Sequence, residues 1–301
     1  MHFIDRALEG RYNIFSYFLG IVFIVVGFLT AQSLMVSFLP FFFDDVEYTS
    51  LRSQNDYMLL LGKNGFFAFS LMPFLFLFLC LVYTVRFIHK RKIISVFTGR
   101  LKFDWRRFLI SFLIMFSILV LLLFVQYSSE ETLFYNFKAE KFFTLLIIAI
   151  VLVPIQIVAE EILFRSYVMQ GLKRRVLHNG HSVVISGIMF GMLHLGNPEI
   201  KEIGFHLVFY YIMAGVFLGA IVLFDNGLEL SLGYHAANNL FGALIVSSDW
   251  QAFQTHALFI DTSKPGNGIG SIVFSLVLYV FLFFLFYKIF NWRGLKEIWS
   301  Q

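Results

Sequence analysis

Long apolar runs separated by short charged segments set the plan of this chain. They cover residues 13–40, 64–86, 107–127, 139–164, 182–196, 205–224, 229–248 and 269–291. About 20 apolar residues suffice to cross the hydrocarbon of a bilayer as a helix. The pattern therefore predicts an all-α fold: a polytopic membrane helical bundle of about eight transmembrane helices. The first run is too long for a cleaved signal peptide and no small-x-small site follows it. The fifth is short for a span. The fourth is expected to continue as helix to about Arg175.

Charge alternates between the connecting segments. Asp44, Asp45, Glu47 and Asp56 lie between runs 1 and 2, and Glu130 and Glu131 between 3 and 4. Arg86, Lys90, Arg91, Lys92, Arg100, Lys102, Arg106 and Arg107 separate runs 2 and 3. Lys173, Arg174 and Arg175 separate runs 4 and 5, and Lys288, Arg293 and Lys296 end the chain. The positive-inside rule then places both termini in the cytoplasm. The expected setting is a bacterial inner (cytoplasmic) membrane. Ile94 to Phe108 mixes bulky and basic residues, and reads either as an amphipathic segment on the inner leaflet or as a solvated basic loop.

Composition agrees with the membrane reading. The 301 residues are 59% hydrophobic, 19% aromatic and only 14% charged, with 41 phenylalanines. Soluble domains are about a quarter charged. The net charge of +4 sits beside the apolar runs, which suits membrane topology better than nucleic acid. A single cysteine, Cys80, excludes an intramolecular disulfide. No internal repeat, low-complexity tract or soluble domain is evident.

Runs 5 to 7 differ from the bulky ones. Gly187 and Gly191, and Gly215 and Gly219, are spaced four apart, and run 7 adds Gly233, Ala236, Ala237 and Gly242. Small residues at this spacing let membrane helices approach closely, so a tight inner bundle is expected. The same region carries the polar groups: Glu160, Glu161 and Arg165 in run 4, Phe190 and His194 in run 5, His235 and Asn239 in run 7. Ionised groups in hydrocarbon cost at least a few kcal/mol and mark sites of function. Arg165 is four residues after Glu161, the spacing of a helical ion pair. Glu160 points about 100° away around the helix, free to face a cavity. Asn238 reads as interhelical glue. His2, His89, His178, His181, His206 and His256 fall near helix ends or in loops, where solvated or interfacial roles are expected.

Glu160-Glu161-Ile162-Leu163-Phe164-Arg165, Phe190-Gly191-Met192-Leu193-His194 and His235-Ala236-Ala237-Asn238-Asn239 together resemble the three motifs of the CPBP intramembrane proteases. That family includes type II CAAX prenyl proteases and relatives tied to bacteriocin processing or immunity. The resemblance divides the chain into N-terminal transmembrane helices 1–3 (1–138), a CPBP-like catalytic core of helices 4–7 (139–248) and C-terminal helix 8 (249–301). It implies an endopeptidase that hydrolyses membrane-associated proteins or peptides with glutamate- and histidine-activated water. In that scheme Glu160 is the general base, His194 holds the water, and His235 and Asn239 stabilise the oxyanion. Glu161, Arg165 and Phe190 support them. No cofactor is favoured. Zn²⁺ held by Glu160, His194 and His235 is the alternative, although the soluble His-Glu-x-x-His signature is absent. The substrate is expected to be a membrane-associated peptide or protein, reached from the cytoplasmic side, with the bilayer as the other partner and no nucleic acid.

Other classes fit less well. A rhomboid-like serine site needs Gly-x-Ser, whereas Val184-Ile185-Ser186-Gly187 lacks the first glycine. The Gly-x-Gly-Asp of intramembrane aspartyl proteases is missing. A proton-coupled transporter would show repeated halves. A non-catalytic scaffold or bacteriocin-immunity protein remains the alternative from another class.

Overall fold

The computed structural model describes residues 1–43, 51–129, 132–173, 175–176, 178–263 and 268–300. Asp44, Asp45, Glu47, Glu130, Glu131 and Arg174, which entered the charge pattern above, lie outside the described residues. Eight main helices run up and down: α1 Ile14–Phe38, α2 Gln54–Tyr83, α3 Trp105–Ser129, α4 Ala139–Glu161, α5 Asn179–Leu193, α6 Leu207–Asp225, α7 Glu229–Leu244 and α8 Ile269–Ile289. The polytopic helical bundle is as the sequence predicts.

Among the described residues, the structure supports six of the eight expected spans by length and apolarity. The two left out are α5 and α7, of 15 and 16 residues. At 1.5 Å per residue they reach about 23 Å, short of the ~30 Å hydrocarbon core. These short helices are the ones that bring His194, His235 and Asn239 into the bundle.

Local chemistry explains several boundaries. The Asn13 side chain accepts from Ser16 N at 2.7 Å and starts α1. A capping box of Ser53 and Asp56 starts α2 at Gln54, well before its apolar run begins at residue 64. Gly62, at φ 69°, interrupts α2 near that end. Beyond Glu161, α4 continues through a π-helical turn, Ile162–Val168, and a last turn, Met169–Leu172. The expected extension beyond the apolar run is thus present.

The glycine spacing works as predicted at the α5–α6 contact. A Cβ on Gly187 would stand 2.7 Å from Val216 N, and one on Gly191 would stand 2.8 Å from Ile212 N. Gly233 makes a different contact: its Cβ would lie 3.0 Å from Phe112 N, so α7 packs backbone-close on α3. The tight bundle therefore includes α3, which the composition did not single out.

Ile94 to Phe108 is not a free solvated loop, and its Leu101 and Trp105 remain exposed. Ser95, Val96 and Thr98 are buried, and Thr98 bridges Gly227 in the turn between α6 and α7. Arg100 pairs with Glu229 at 3.2 Å and with Asp225 at 3.3 Å, and Arg107 also pairs with Asp225. These acids draw the basic segment into the fold. At the opposite end of the bundle, three short strands form a sheet in the order β1-β3-β2. β1 (Leu133–Tyr135) is antiparallel to β3 (Phe259–Asp261), which runs parallel to β2 (Val246–Ser248).

Candidate active site

Glu160 and Glu161 end the regular part of α4, and their side chains diverge as neighbouring helical positions must. Glu161 turns inward and is fully buried. Its Oε1 lies 3.4 Å from an Arg165 nitrogen and 2.9 Å from His235 Nδ1. An ionised carboxylate only accepts, so it takes the hydrogen on Nδ1 and leaves Nε2 to face Glu160. That second distance, Nε2 to Glu160 Oε2, is 3.7 Å. The imidazole of α7 thus stands between the two adjacent carboxylates of α4.

Arg165 belongs to the π-helical turn and is also fully buried. Its guanidinium lies 4.0 Å from the Phe190 ring centroid. That ring is 4.5 Å from the His194 ring and 6.3 Å, edge-on, from that of His235. Phe190 therefore spaces the cation from the two imidazoles. His194 follows the last residue of α5 and opens a 3₁₀ turn, His194–Gly196. Its Nδ1 donates to the Phe190 carbonyl at 2.8 Å, which leaves Nε2 as an acceptor.

Two residues that sequence reasoning passed over complete the arrangement. Gln156, one turn before Glu160, donates to Glu160 Oε1 at 3.0 Å. Its own oxygen accepts from Asn239 Nδ2 at 3.4 Å. Its position four residues before Glu160, inside an apolar run, was the available signal. Tyr211 of α6 stacks on His194 with centroids 4.2 Å apart, and accepts from Asn197 Nδ2 at 3.4 Å. Nothing in the one-dimensional pattern pairs Tyr211 with His194. Asn238 donates to the carbonyl of Tyr234 in its own helix at 3.0 Å, rather than to another helix.

Glu160, His194, His235 and Asn239 all line one cavity of about 1030 Å³. Its other wall comes from α1 and α2, through residues such as Ile24, Gln32, Ser70 and Leu77. The N-terminal helices, which carry no motif, thus shape the space beside the motifs. Among the described residues, no three His, Cys, Asp or Glu side chains stand close enough to share a metal ion.

Residues 139–241 match the family model described as Type II CAAX prenyl endopeptidase Rce1-like. This segment is similar to that family. It contains all seven residues picked out by the three motifs, from Glu160 to Asn239. Over 170 residues the chain is 33% identical to "Uncharacterized protein YyaK" of Bacillus subtilis (strain 168), covering 54% of this chain and 55% of that protein. The chain thus spans about half the length of this curated relative. No solved structure matches it. The likeness read from the motifs and the likeness of the Rce1-like segment agree on the family.

Proposed function

We propose that this protein is an intramembrane endopeptidase acting on membrane-associated polypeptides. The observation that carries the reading is the convergence of Glu160, His194, His235 and Asn239 on one cavity inside the helical bundle. The Rce1-like segment that supplies all four supports it.

In the proposed reaction, His194 Nε2 accepts a hydrogen bond from water and Glu160 takes the proton as that water adds to the scissile carbonyl. The resulting oxyanion receives hydrogen bonds from Asn239 and from His235. Asn239 exchanges its long bond to Gln156 for this one. Glu160 then returns the proton to the leaving nitrogen as the C–N bond breaks. Glu161 and Arg165 hold His235 and compensate each other's charge. Metal-free action is part of the proposal. Stoichiometric zinc in purified protein, with cleavage abolished by a chelator, would overturn that part.

The test compares new protein N-termini in cells producing the wild type, Glu160→Ala or His194→Ala at matched levels. Products present with the wild type and lost in both variants support proteolysis. Products retained in both, with normal expression, favour the scaffold reading. Asn239→Ala should lower the rate about 10²–10³-fold, the usual effect of losing one oxyanion donor.

A further inference from the structure

The cavity beside Glu160 is closed on one side and open on the other. From Glu160 to Leu172, at the end bearing the termini, α4 covers about 18 Å at 1.5 Å per residue. That distance is filled. Arg165, Tyr167 and Gln170 are fully buried there, as are Leu81, Val85 and His89 of the adjoining segment. Tyr167 bonds His89 at 2.9 Å, Gln170 donates to the Phe3 carbonyl at 2.9 Å, and Ser186 donates to the Phe164 carbonyl at 2.8 Å.

In the other direction the cavity runs past Ser70 to a polar rim formed by Gln54, Asn197, Glu199 and Gln251. The rim is a built structure. Ala252 N donates to Glu199 at 2.9 Å, and the Ala252 carbonyl accepts from Gln54 at 3.1 Å. Three separate segments are thereby clipped together. Between α1 and α5 the same cavity has an apolar flank, where Val25, Leu29, Met192 and Leu193 are 49%, 53%, 55% and 66% exposed. Such a flank suits an apolar peptide segment continuous with the bilayer, while a hydrated peptide end needs the polar rim.

Most of the basic residues lie at one end, whereas Arg52, Lys63, Lys138, Lys141 and Lys201 lie toward the rim, and the imbalance marks which way this opening faces. Arg86, Lys90, Lys92, Lys102, Arg106, Lys173, Arg175, Lys288, Arg293 and Lys296 stand at the closed end with the termini. By the positive-inside rule that end is cytoplasmic.

We propose that the substrate peptide reaches Glu160 from the non-cytoplasmic side, through the rim at Gln54, Glu199 and Gln251. The substrate class is then a membrane-anchored polypeptide whose polar portion lies outside the cytoplasm. It differs from the cytoplasmic approach expected from sequence, and it rests on the endopeptidase reading for the word substrate only.

Thiol labelling tests it without turnover. In a Cys80→Ala background, with Cys80→Val as a second background should the first express poorly, single Gln251→Cys, Ser70→Cys and Lys296→Cys variants are prepared. Intact cells are treated with a membrane-impermeant thiol reagent, before and after permeabilisation. Labelling of Gln251→Cys and Ser70→Cys in intact cells, with Lys296→Cys labelled only after permeabilisation, is the expected result. Ser70→Cys labelled only after permeabilisation, or in neither condition, would overturn the proposal, as would Lys296→Cys labelled in intact cells. Since labelling needs no cleavage, its failure is distinguishable from a loss-of-proteolysis result with Glu160→Ala.

Discussion

Replacing Glu161 by glutamine keeps the size of the side chain and an oxygen that can still accept from His235, but removes the negative charge. Arg165 is then stranded: it is fully buried, and its three guanidinium nitrogens have no hydrogen-bond partner among the described residues. At the 3.4 Å separation of the pair, the Coulomb attraction is about 5 kcal/mol at an effective dielectric of about 20. The Phe190 face, 4.0 Å away, is present with or without the charge and replaces none of it. Breaking a buried pair by removing one partner typically costs about 3–5 kcal/mol. Glu161→Gln should therefore destabilise the protein by about 3 kcal/mol or more, whereas Glu161→Gln combined with Arg165→Met should return to within about 1 kcal/mol of the wild type. Equilibrium unfolding of the purified protein in bicelles, with Arg165→Met completing the cycle, measures both. A single variant as stable as the wild type, or a double variant as unstable as the sum of the singles, would refute the reasoning.

Other outcomes follow from the same contacts. Gln156→Ala removes the group that holds both Glu160 and Asn239 and should reduce cleavage while leaving the fold intact; unchanged cleavage would separate Gln156 from the site. Gly187→Val drives a side chain into the α6 backbone and should cost about 1–3 kcal/mol, read as a loss of folded yield or a lower unfolding midpoint. His89 lies beyond the spanning part of α2, and burial first, then the nearby Arg91 charge, lowers its pKa against the opposing Arg11 carbonyl contact. Its folded value being below the unfolded one, near 6.5, the unfolded chain binds more protons and stability falls as pH drops through about 6.5. His89, which the sequence places at an interface, is fully buried against Tyr17 and Tyr167, and His89→Gln should flatten that pH dependence in thermal unfolding between pH 5 and 7.5.

The sequence by itself determined the class of fold and the place of the polar groups. Apolar runs can be counted because a bilayer demands that each spanning segment satisfy its own backbone, and helices do so with local bonds. The Glu161–Arg165 pair was legible for the same reason: residues four apart share a helix face. The Gly187 and Gly215 contact was legible because close backbone approach requires the absence of a side chain. Tertiary structure decided the rest. It placed His235 between Glu160 and Glu161, set Tyr211 on His194, and made α1 and α2 a wall of the cavity. It also set the lengths of α5 and α7 at 15 and 16 residues, the latter shorter than its apolar run suggested. Those features depend on how helices pack across long sequence separations, and no local spacing encodes which faces meet.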